Sequence, residues 1–303
     1  MVQRILVPLD GSQLAEGLLP AAETLCVRVQ GTLILLHVVE HDAPTQIHGE
    51  RHLTTREEAV AYLESVAARL RPLVPVEVHV HEVEVHDVAR AIAEHSAEQR
   101  CDLILMCTHG ESGFRDRLVG SVAQHVITHS RTPLLLFQIG QSGQTVMSGF
   151  TRFLIALDGN RQHARAMAAA LELSSQLGAS VHLLTVVPQV RDLPLEQEVT
   201  RRYFPSTVKH LLDFSEEEAQ RYLEEEAVAA KRMGVEVGSE VRRGDPAREI
   251  VACAEARSCD LIVLGTHAKV GVEGFLAGSI TARILSEASA PVLLVPIYDG
   301  GAA

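Results

Sequence analysis

CDLILMCTHGESGFRDRLVGS (residues 101–121) and CDLIVLGTHAKVGVEGFLAGS (residues 259–279) agree at ten of twenty-one positions. Each begins as an unbroken apolar run, as expected of a strand, and ends in Gly-Ser before a helical pattern. The offset between them is 158, and it also aligns His86-Asp87-Val88-Ala89-Arg90 with Gly244-Asp245-Pro246-Ala247-Arg248, and TPLLLF (132–137) with APVLLV (290–295). Nearer the N-terminus the offset is 148, matching ILVPLDGS (5–12) with FLIALDGN (153–160) and LLHVV (35–39) with LLTVV (183–187). A period this long is a domain duplication, too long for a solenoid repeat. The second copy gains ten residues between the two blocks.

The 303 residues suit two domains of about 150 residues each, and a 47% apolar composition lets each bury a core. The expected divisions are a domain at 1–139, a polar Gly/Ser-rich linker at 140–150 and a domain at 151–298. In the first copy strands are expected at 3–9, 32–39, 76–84, 102–107 and 133–138, with helices near 13–29, 55–71, 87–99 and 120–129. Strands without polar alternation fit a parallel sheet covered on both faces. Alternating strands and helices then give two tandem doubly wound α/β domains, each a five-stranded parallel sheet with helices on both faces. The extra residues fall in 186–218, where Pro194 and Pro205 are expected to break the chain, with a short helix on either side of Pro205. That segment is a longer connection, or a lid or partner surface.

The net charge is −12, and neither half is basic, which argues against a nucleic-acid groove. No apolar run approaches the roughly 18 residues of a membrane span. Five scattered cysteines without a CxxC pair, and a start that runs directly into a strand, point to a reducing, cytoplasmic location. The three lysines, Lys209, Lys231 and Lys269, do not follow glycine, so the GxxxxGK[ST] phosphate loop is absent.

In a doubly wound sheet ligands sit at the C-terminal strand ends, near the switch point. Asp10 and Asp158 stand there, just past the first strand of each copy. Each is able to accept a hydrogen bond from a base or ribose; the alternative is an Asp-Gly turn. The Gly-Ser that opens each fourth helix offers free N–H groups and a hydroxyl to an anion, or is a plain helix cap. Four residues separate His125 from His129, and His79 and His81 share a strand face, but neither pair has a third metal ligand assignable from sequence. Cys101 and Cys259, at matching strand starts, read as small buried residues. No catalytic set accompanies the loops, and the HxGH and SGGxDS segments of related nucleotide enzymes do not occur.

ILVPLDGS, LLHVVE, the segment from His109-Gly110 to Gly120-Ser121, TPLLLF and, in the second copy, GDPAREI together resemble the universal stress protein family, twice over nearly the whole chain. The resemblance implies an adenine nucleotide alpha hydrolase-like fold and, in members with the glycine pattern, binding of ATP or a related adenine nucleotide, with Mg2+ as a candidate companion. It also implies pairing of the fifth strands between domains or chains, with a homodimer as one form of it. That pattern is Gly, two residues, Gly, nine residues, then Gly-Ser or Gly-Thr. Gly110, Gly120 and Ser121 match it in the first copy, where Cys107 replaces the first glycine; Gly265, Gly278 and Ser279 match in the second, where Ala268 replaces the second. Carried over, Asp10 and Asp158 meet the base, with backbone groups of Val38 and Val186, and the N–H groups of Val122 and Ile280 face phosphate. Cys107 would set a side chain against the ribose, whereas Ala268 adds one methyl, about 1 kcal/mol if φ must be positive. The second site is therefore expected to bind more tightly. His109 and His267 stand near the expected phosphates, so slow ATP hydrolysis is one alternative and a nucleotide-free interaction scaffold the other.

Overall fold

The computed structural model describes the chain except residues 41–45, 48–49, 84–86, 109–119, 139–148, 161–163, 188–204, 268–278 and 298–303. It divides into two compact units, Met1–Gly149 with Thr266–Ala303, and Phe150–Gly265.

In the first unit, β1 (Arg4–Pro8), α1 (Gln13–Glu16), α2 (Leu19–Val29), β2 (Thr32–Glu40), the small antiparallel pair β3 (Gln46–Ile47) and β4 (Glu50–Arg51), α3 (Arg56–Leu70), β5 (Val76–Val83), α4 (Val88–Glu98), β6 (Leu103–Thr108), α5 (Ser121–His129) and β7 (Leu134–Gln138) follow one another. The first repeat's sheet runs β7-β6-β1-β2-β5, every pair parallel. Seven consecutive residues of β2, Leu33 to Val39, are buried, as a strand covered on both faces requires. The expected helix 13–29 is two helices: Gly17 ends the first, and Pro20, which lacks an N–H to donate, sits where α2 opens and needs none.

The second unit holds β8 (Arg152–Leu157), α6 (Ala164–Leu177), β9 (Ser180–Val187), α7 (Pro205–Arg232), β10 (Val237–Arg243), α8 (Pro246–Ala256) and most of β11 (Leu261–His267). Its four strands run β10-β9-β8-β11, all parallel. The helix after Pro205 is not short: Pro205 is the first residue of a 28-residue helix, the position at which proline fits best. The rest of the expected insertion, 188–204, lies outside the described residues. After α9 (Ile280–Glu287), β12 (Val292–Ile297) pairs antiparallel with β7, Leu293 opposite Leu135. Fifth strands of the two repeats thus meet edge to edge, which covers the apolar edge of β7.

The shared Cys-Asp that begins each opening stretch has a structural task. Asp102 Oδ2 accepts the backbone N–H groups of Gln3 at 2.8 Å and Arg4 at 2.9 Å. Asp260 does the same for Thr151 at 2.8 Å and Arg152 at 2.9 Å. Each carboxylate therefore ties the start of its repeat's fourth strand to the start of the first. Cys101 is buried beside it, as expected, whereas Cys259 is only half-buried. Among the described residues no helix is long and apolar enough to cross a membrane.

Candidate functional site

Strand β1 lies between β2 and β6, and that is where the winding direction of the first repeat reverses. Above its C-terminal end is a cavity of about 500 Å³. Asp10, Val38, Cys107, Gly120, Ser121 and Val122 all line it. The residues expected from sequence to meet a ligand in the first repeat, Gly110 aside, are thus brought to one place from β1, β2, β6 and α5. Gly110 lies outside the described residues, as does His109.

Asp10 does two things at once. Its Oδ1 accepts the backbone N–H of Ser12 at 2.9 Å and the Ser12 hydroxyl at 2.6 Å, closing the tight turn that follows β1. Ser12 in turn caps α1 by accepting from Ala15 N at 3.1 Å. Gly11 takes φ +92°, open to glycine and strained for other residues, and a Cβ there would come 3.1 Å from the Leu53 side chain. The turn and the cavity wall are one structure: the residue that closes the turn also lines the cavity.

The start of α5 differs from expectation. Ser121 is its first residue and Gly120 its N-cap, with no side-chain cap hydrogen bond. In α9 the N-cap is Ser279, whose Oγ accepts from Ala282 N at 3.1 Å. Identical Gly-Ser pairs therefore behave differently: Ser279 caps its helix, whereas Ser121 is the first residue of its helix behind a glycine N-cap that has no side chain to accept from the first turn.

Cys107 lines the cavity with its Sγ 3.9 Å from the Leu14 carbonyl. Burial, with Asp10 nearby, pushes its thiol far up, so it is a neutral wall. Two buried histidines, His37 and His52, also line the cavity and were not singled out from sequence. His37 Nδ1 donates to the Leu9 carbonyl at 2.7 Å, while its Nε2 is buried with no partner within ordinary hydrogen-bond distance among the described residues. Burial lowers its pKa, with the Leu9 carbonyl opposing, so the ring is neutral at neutral pH. The second repeat has Thr185 at the matching place in LLTVV, and its Oγ1 is likewise buried with no hydrogen-bond partner among the described residues. A polar residue amid the apolar run LLHVV was the only available signal.

In the second unit the register of β8, β9 and β11 brings Asp158, Val186 and Gly265 to one end of the sheet. Asp158 Oδ1 accepts Asn160 N at 3.0 Å, and Gly159 has φ +80°, repeating the turn of the first repeat. Ser279 and Ile280 belong to the other unit. Gly278 and Ala268 lie outside the described residues, and the placement of the His267 side chain is likewise not described. Of the histidine pairs, His125 and His129 bond through Nδ1 to the helix carbonyls of Ser121 and His125, both at 2.7 Å. His79 instead contacts His95 on α4 at 3.0 Å.

The universal stress protein family model matches residues 1–138 and again 149–296. A universal stress protein of Methanocaldococcus jannaschii is 32% identical over 146 residues, 48% of this chain and 82% of the relative. Another, from Bacillus subtilis, is 28% identical over 153 residues, covering 48% of this chain and 99% of the relative. Among solved structures, a universal stress protein from Archaeoglobus fulgidus has a TM-score of 0.65 at 20% identity, spanning 98% of this chain and 97% of that one. A functionally unknown protein from Pseudomonas aeruginosa has a TM-score of 0.64 at 17% identity over 98% and 93%. These two likenesses show the fold. With a family match over each half and the same α/β order in each, the chain belongs to the universal stress protein family as a tandem member.

Proposed function

We propose that the protein binds an adenine nucleotide, ATP or a relative with Mg2+, and that the nucleotide stabilises one conformation or assembly in a cytoplasmic stress response. The observation that carries this reading is the cavity of about 500 Å³ that gathers Asp10, Val38, Gly120, Ser121 and Val122. A volume of roughly 300–1,000 Å³ suits a small-molecule site. Asp10 is oriented by its turn to accept from a base or ribose, and the first turn of α5 presents N–H groups to phosphate without a lysine. The second repeat, which keeps Asp158, Val186 and Gly265 at the ends of its strands, is proposed to hold a second nucleotide. By its retained Gly265 that site is the tighter of the two.

We assign no catalytic role. Cys107, lining the first cavity where the family pattern has glycine, favours one rival: a scaffold whose sites no longer take nucleotide and whose activity is partner binding, through domain pairing or a homodimer. The two readings separate on ligand content. Heating the purified protein and analysing the supernatant releases adenine nucleotide on the first and none on the second.

A further inference from the structure

We propose that the second repeat carries a site for a thiophilic divalent cation such as Zn2+, with His182, Glu240 and Cys253 as the protein ligands. The three come from β9, β10 and α8, and their ligand atoms all lie within 4.8 Å of one another. Cys253 Sγ donates to Glu240 Oε1 at 3.1 Å, and His182 Nε2 lies 3.6 Å from Glu240 Oε2. Around tetrahedral zinc, bonds of about 2.0–2.3 Å hold neighbouring ligand atoms roughly 3.3–3.7 Å apart. The Cys253 and His182 contacts, each to a different oxygen of Glu240, are close to that spacing, and no pair of ligand atoms is more than 4.8 Å apart.

His182 supplies a second, independent observation. Its side chain is 10% exposed, and its buried Nε2 has no partner within ordinary hydrogen-bond distance among the described residues, Glu240 Oε2 lying 3.6 Å away. A polar atom left so is normally matched, and a metal ion is a partner that an imidazole nitrogen accepts. Gly238, beside it, leaves room: a Cβ there would come 3.0 Å from His182 Nδ1.

The choice of cation follows from the charges. Arg242 Nε and Arg257 Nη2 donate to Glu240 at 2.6 and 2.5 Å. Hard cations such as Mg2+ or Ca2+ need several oxygen ligands and would find one carboxylate already shared with two guanidiniums. A soft cation takes the place of the thiol proton, which leaves to solvent, and gains a thiolate bond. One coordination position is left for water or another ligand.

The first repeat has the same junction in a different chemical form. His79 stands opposite Leu36 in the β2–β5 register, as Glu240 stands opposite Leu184 in β9–β10. His95 and Cys253 each lie eight residues after the capping aspartates Asp87 and Asp245. His79 and His95 touch at 3.0 Å, but where the second repeat has His182 the first has the buried Ile34. Three ligands therefore meet in the second repeat and two in the first.

The test uses full-length protein stripped with chelator and titrated with Co2+, whose thiolate complexes absorb in the near ultraviolet and visible. We expect one Co2+ per chain with a thiolate band, displaced by Zn2+, and at least tenfold weaker binding in Cys253→Ser and in His182→Ala. His125→Ala should bind as the wild type does. No thiolate band, or a band unchanged in both folded variants, would overturn the assignment. If circular dichroism shows either variant unfolded, alkylation of wild-type protein decides: Zn2+ should slow modification of Cys253 and not of Cys101, and equal rates with and without Zn2+ overturn it.

Discussion

Asp102 reaches back 98 residues to Arg4, whose backbone N–H its Oδ2 accepts at 2.9 Å. The same carboxylate holds Gln3 N, and Asp260 holds Thr151 and Arg152 in the second repeat. Asp102→Ala and Asp260→Ala each leave two strand-start N–H groups without their acceptor, at about 1–3 kcal/mol for hydrogen bonds to a charged group. Urea denaturation should show each variant destabilised by that order, with no change in nucleotide affinity. A loss below about 0.5 kcal/mol would remove the structural role assigned to them.

Ser279 caps α9 and Ser121 does not cap α5, so the two serines should respond differently to the same change. Ser279→Ala should lose about 0.5–2 kcal/mol of stability, the usual loss of an N-cap. Ser121→Ala should leave the melting temperature nearly unchanged and weaken ATP binding instead. Equal destabilisation in both would contradict the different starts of the two helices.

His37 sets a pH dependence. Burial disfavours its charged form, so its folded pKa lies below the unfolded value of about 6.5. The unfolded chain then binds a proton first, and stability present above that pH is lost as pH falls through it. Melting curves from pH 8 to 5 should fall less steeply for His37→Thr, which places the second repeat's residue there, than for the wild type. Parallel curves would show that His37 does not contribute.

Cys107 forms part of the first cavity's wall. If its side chain crowds the sugar, Cys107→Gly should tighten ATP binding at the first repeat while losing about 1 kcal/mol of stability through strand glycine entropy. Unchanged affinity would show that the thiol does not obstruct the ligand.

The repeat, the strands and the Asp–Gly turns were legible because they depend on local composition: unbroken apolar runs, and Gly11 and Gly159 where φ must be positive. The split of 13–29 and the long helix from Pro205 were also written locally, in Gly17, Pro20 and a proline at a first helical position, yet proline reads equally as a breaker. Which residue of each Gly-Ser pair caps its helix was not legible, since the letters are the same and the backbone differs. Still less so was the meeting of His182, Glu240 and Cys253. Nothing local links residues so far apart in the chain; only packing of α8 on β9 and β10 brings them together.

The central claim is adenine-nucleotide binding, and calorimetry of full-length, nucleotide-stripped protein with ATP and Mg2+ tests it most directly. Saturable binding is predicted, with the tighter component lost in Asp158→Ala and the weaker in Asp10→Ala. Each affinity should fall five- to a hundredfold, about 1–3 kcal/mol for a lost hydrogen bond to a carboxylate. A flat titration at millimolar ATP, in protein that also releases no adenine nucleotide on heating, would contradict the account.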